Sequence, residues 1–178
     1  TGMEVFMAQP RVLTSSDPNK AIRDELIFQL NGGHAHAPLE SVLKGIPENK
    51  YGEVPKGLPY SLWQLLEHMR IAQGDILRFC TNEDGGYKEL AWPDAYWPKP
   101  AAPPAEDAWD IAVAQLNEDR RAMCEVIADP ARDLFKPFPW GDRQNLLREA
   151  MVLIDHNSHH MGEMIAVRRL LGIWPPKK

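Results

Sequence analysis

The amino-acid sequence predicts an all-α protein, a four-helix bundle with long Pro/Trp-rich connections. Three observations lead there. Four long stretches carry apolar residues at helical spacing, no stretch alternates apolar and polar residues as a half-buried strand does, and no segment recurs at a fixed period. At 178 residues the chain suits one domain with a full core, taken as 1–178 with 1–16 irregular.

The first helix opens at Asp17-Pro18, an N-cap with proline at the first helical position. Ile22, Leu26, Ile27 and Leu30 form its apolar stripe, and Gly32-Gly33 closes it. His34-Ala35-His36-Ala37-Pro38 leads into a short helical stretch at 39–43. Glycines and prolines between 45 and 59 then mark an extended connection. Ser61, with Gln64 three residues on, makes a capping box for the second long helix. Leu62, Leu65, Met69, Ala72 and Ile76 centre its buried face, and the helix gives out near Cys80. His68 lies roughly 60–80° from that centre, at the flank of the core.

The segment from Trp92 to Pro104 is too rich in proline for a helix or a central strand, and too aromatic for a plain linker. It is expected to pack across the bundle surface or over one mouth. A third helix spans about 105–128, with Trp109, Ala112, Val113, Leu116, Met123 and Ile127 facing in, and Asp129-Pro130 ends it. After a second aromatic, Pro-rich loop at 134–141, Asp142 is the expected cap of the last helix. No proline interrupts the chain from there to Trp174.

Composition narrows the function classes. The apolar fraction is 44%, the charged fraction 25% and the formal net charge -5, with no basic run beyond Lys177-Lys178. Nucleic acid and anionic membranes both need a basic surface, so neither is expected as the main partner. No apolar run approaches the ~18 residues of a membrane helix. Cys80 and Cys124 have no metal-type spacing and read as two reduced core residues of a cytoplasmic protein.

The chemistry-bearing stretch is Asp155-His156-Asn157-Ser158-His159-His160-Met161-Gly162-Glu163. His156 and His160 leave one helix face about 40° apart, alongside Leu153, Met164 and Val167. Imidazoles one turn apart can reach one metal ion, and His68 is the only histidine on another long helix. Three imidazoles with open positions would suit a catalytic metal better than a structural one. An ordinary hydrogen-bonded core or surface role is the competing reading for each. His159 turns about 60° the other way, toward a neighbouring helix or the surface. Glu163 returns near the face of His156 as a general base, a partner orienting an imidazole, or a helix-surface charge, the last being the default for its spacing. A zincin helix would need glutamate where Asn157 stands, and no Glu-x-x-His, phosphate loop, Gly-x-Ser-x-Gly or Cys-x-x-Cys is present.

These residues resemble the DinB/YfiT-like superfamily of bacterial four-helix metal-binding proteins. The blocks that carry the resemblance are 57–73, 147–163 and the ending Arg168-Arg169-Leu170-Leu171-Gly172-Ile173-Trp174. The family's single histidine on the second helix and His-x-x-x-His pair on the last land on His68, His156 and His160. The resemblance implies that these three face-cap a divalent metal, nickel or zinc first and iron or copper as further options, with positions left open. Relatives include bacillithiol S-transferases and a mycothiol-dependent maleylpyruvate isomerase, and several are homodimers. A thiol S-transferase acting on a small-molecule substrate with a low-molecular-weight thiol cosubstrate is the favoured implication. A metal-dependent hydrolase and a non-catalytic metal-binding or stress-response module are the alternatives. The family position usually held by glutamine is Glu163 here. His36 and the segment 92–98 are expected to border the open side of the metal. His36 would act there as an acid/base or substrate contact, against an ordinary loop histidine.

Overall fold

The computed structural model describes residues 15–32 and 35–176. The expectations for 1–14, Gly33, His34 and Lys177-Lys178 lie outside the described residues. Five α-helices follow in order: α1 (Pro18–Leu30), α2 (Leu39–Leu43), α3 (Leu62–Cys80), α4 (Ala108–Ala128) and α5 (Leu146–Leu170). Short 3-10 turns occupy Glu48–Lys50 and Asp94–Tyr96. No strand occurs among the described residues, only an isolated bridge between Pro137 and Asn145. None of these helices is long and apolar enough to cross a membrane.

Local chemistry sets the helix starts. The Asp17 carboxylate accepts from the Asn19 N–H at 2.9 Å, and Pro18 follows as the first helical residue. At α3 the Ser61 hydroxyl accepts from the Gln64 N–H while the Gln64 side-chain oxygen accepts from the Ser61 N–H, both at 3.1 Å. Two boundaries differ from expectation. α4 begins at Ala108, not near Ala105. The cap of α5 is Asn145, not Asp142, because Arg143 has φ of 71°, a left-handed conformation that stops any helical run from Asp142. Asn145 is extended, and its side chain accepts from the Arg148 N–H at 2.9 Å.

α3 packs against α4 and α5, and α1 packs against the same two helices. The long helices therefore form a ring in the order α1, α4, α3, α5, with α1 and α3 across the bundle from each other. Two apolar clusters fill the ring. One joins α2 with the first halves of α3 and α4 and the last half of α5; the other joins α1 with the far ends of α3 and α4 and the start of α5. Between them runs a buried polar bridge: Gln73 Nε2 donates to the Leu116 carbonyl at 2.5 Å, and Asn157 Nδ2 donates to Gln73 Oε1 at 3.0 Å. That bridge places polar groups from three helices at one level of the bundle, and its Asn157 end lies next to His156.

Candidate metal centre

His68 on α3 and His156 and His160 on α5 come together, each offering one nitrogen within 4.8 Å of the others. The rings of His68 and His156 lie 4.9 Å apart, those of His68 and His160 4.5 Å, and those of His156 and His160 4.4 Å. Which nitrogen carries the proton follows from the neighbours. The Leu116 carbonyl only accepts, so Gln73 turns its NH₂ to it and its oxygen to Asn157. Asn157 then turns its NH₂ to Gln73 and its oxygen toward His156 Nδ1, at a long 3.4 Å. His68 Nδ1 faces the Tyr96 carbonyl at 2.9 Å, and His160 Nδ1 faces the Glu163 carboxylate at 2.7 Å. Every Nδ1 thus faces an oxygen, most closely in His68 and His160, which leaves the Nε2 atoms as the nitrogens that could ligate a metal.

Burial reinforces that state. It pushes His156 and His160 down to about 4, helped by the neighbouring imidazoles, and it lowers His68 as well. The nearby Glu163 carboxylate and the Tyr96 carbonyl partly oppose the push on His68, while the Glu163 hydrogen bond to His160 is one that a neutral ring can make through Nδ1–H. The consequence is a close approach of like partners: His156 Nε2 and His68 Nε2 stand 3.0 Å apart, facing each other. Facing lone pairs repel, and a cation between them turns repulsion into ligation. Two nitrogens each roughly 2.1 Å from one ion and about 90° apart would be about 3.0 Å from each other, so this donor set fits a divalent metal.

The aromatic loop closes one side of the cluster. Trp97 stacks on His68 with centroids 3.7 Å apart and 6° between planes, and Tyr60 stacks on the outer face of Trp97 at 4.0 Å. The Ser61 hydroxyl donates to the Ala101 carbonyl at 2.5 Å, and Gln64 Nε2 donates to the Pro98 carbonyl at 3.3 Å. Gly52 lets the loop lie close, since a Cβ there would meet Ala102 at 2.5 Å. Tyr96 is anchored by its hydroxyl, which donates to buried Asp75 at 2.6 Å. The segment 92–98 therefore covers the cluster. His68, expected at the flank of the core, is only 2% exposed because this loop lies over it.

Other expected residues sit differently. His159 is exposed, as its helical angle implied. Glu163 is not a free surface charge, for one of its oxygens holds His160. His36, expected to border the metal side, makes its contacts elsewhere. Its Nε2 meets Ser158 Oγ at 3.1 Å and its Nδ1 meets the Ala37 carbonyl at 3.0 Å. Ser158 is two residues from both His156 and His160, about 200° around α5, so His36 packs on the opposite side of that helix. Gln73, Asn157 and the Tyr96 carbonyl escaped the sequence reading. Gln73 alone left a signal, a polar residue four after Met69 in the stripe of α3. A cavity of about 440 Å³ lies along α3 and α5 beyond Asp75, walled by Phe79, Tyr87, Trp140 and Glu149. Asp75 belongs to its wall and to the anchor of Tyr96, so the cavity adjoins the segment that braces His68.

The model of the DinB superfamily matches residues 34–164. No curated protein and no solved structure gives a match. The chain belongs to the DinB superfamily.

Proposed function

We propose that this DinB-superfamily chain binds one divalent metal through His68, His156 and His160, and uses it as a thiol S-transferase on small electrophilic molecules. The observation that carries the reading is the pair of facing Nε2 atoms 3.0 Å apart, with every Nδ1 facing an oxygen. A bound divalent ion supplies Lewis acidity and favours the thiolate form of a low-molecular-weight thiol. The thiol would give up its proton to solvent, and the thiolate sulfur would then bond to the electrophilic carbon as a leaving group departs from that carbon with the electron pair of its bond. Nickel and zinc are the first candidates, since imidazole donors suit both.

The protein's own thiols support an external cosubstrate. Burial pushes the thiol of Cys80 far up and raises that of Cys124, so neither is a ready thiolate at neutral pH. Both are free, which agrees with the cytoplasmic setting we propose.

The test couples metal analysis with a thiol screen. Purified protein should carry about one divalent ion per chain, and His156→Ala should lose it while remaining folded. Conjugation of a model electrophile should require an added low-molecular-weight thiol. Cleavage of an ester or amide without any thiol would replace this reading with a hydrolase, and metal content unaffected by His156→Ala would remove the site altogether.

A further inference from the structure

The three imidazoles are braced unequally. His68 Nδ1 has a backbone carbonyl, His156 Nδ1 has a side-chain amide at a long 3.4 Å, and His160 Nδ1 has a carboxylate at 2.7 Å. Only the last partner can bring a formal charge to its ring. Glu163 sits at the rim, its side chain 36% exposed against 9% for His160, so water reaches one side of a carboxylate whose other oxygen is fixed on the buried ring. The outer oxygen lies 3.7 Å from Nε2 of His159, whose side chain is 67% exposed. A carboxylate hydrogen-bonded to Nδ1–H makes Nε2 a stronger donor and fixes the ring plane, more so than a carbonyl or an amide.

We infer that Glu163 is a positioning residue that makes His160 the strongest donor of the three and sets the affinity of the site through its charge. The inference rests on the metal-site reading above and adds which ligand dominates and why. Glu163 does not touch the ion; it acts through His160.

Glu163→Gln keeps an oxygen acceptor on Nδ1–H and removes only the charge, whereas Glu163→Leu removes both. Zinc affinity, measured by competition with a chromophoric chelator, should fall about tenfold in Glu163→Gln and toward 100-fold in Glu163→Leu. The visible absorption of the cobalt-substituted protein should shift in Glu163→Gln, a change that a merely structural role would not produce. A third readout needs no metal: the His160 Nδ1–H resonance, sharpened by the carboxylate in the metal-free protein, should be lost in Glu163→Leu. Wild-type affinity and an unshifted cobalt spectrum in both variants would overturn the inference while leaving the metal site intact. A wild-type chain that binds no ion would instead sink the parent reading, and this one with it.

Discussion

Gln73 touches no expected ligand, yet its amide orders the groups that do. Completely buried, it links α4 to Asn157, and Asn157 turns its oxygen to His156. Gln73→Leu fits the apolar surroundings but leaves the Asn157 NH₂ buried without its acceptor. The expected cost is about 2 kcal/mol in denaturant unfolding, the desolvation penalty of one orphaned amide. The freed Asn157 should also loosen His156, so metal affinity should fall with stability. The helical spacing brought out His156 and His160, because periodicity reports which face a side chain leaves. It could not bring out Gln73 as a partner of Asn157, since that contact spans 84 residues. Nor could it reveal that Glu163 turns inward to His160, because a rim glutamate has the same angle whether it reaches for a ring or for water.

The elements were legible where capping chemistry is local. Asp17-Pro18 and the Ser61/Gln64 box mark their helices in the sequence and in the fold. Asp142 failed as a cap because Arg143 takes a left-handed backbone, a sign that the identity of the cap residue does not report. The joint between α2 and α5 was equally hidden. Arg168 is fully buried, and its guanidinium donates to the carbonyls of Val42, Ser41, Lys44 and Ile173, the last three at 3.4, 2.9 and 3.1 Å. The first three include carbonyls that the short helix α2 leaves open at its C-terminal end. Arg168→Met keeps the bulk and deletes every donor, so it should cost about 3 kcal/mol, roughly 6–12 °C in melting temperature. Arg168→Lys should rescue little, because one ammonium cannot span the fork. Thermal melts of both variants check the point.

For the molecule as a whole, composition and four periodic stretches were enough for an all-α bundle, but the ring order was not written in either. Long connections permit several orders, and the diagonal placement of α1 and α3 depends on packing between distant segments. Acid should expose how the site is coupled to folding. His156 and His160 titrate near 4 when folded, against about 6.5 in an unfolded chain. Between those values the unfolded state binds more protons, so the metal-free protein should lose stability as pH falls from about 6.5 through 4. Denaturation midpoints across that range should show the slope, and replacing both histidines by glutamine should flatten it.

His68 and His156 meet across 88 residues of chain. An ion held between them would be a reversible staple joining the middle of the sequence to its last helix. Unlike a disulfide, such a staple has a strength set by supply: at a free concentration one hundred times the dissociation constant it would add about 2.7 kcal/mol. The fold would then read the metal content of its surroundings as its own melting temperature.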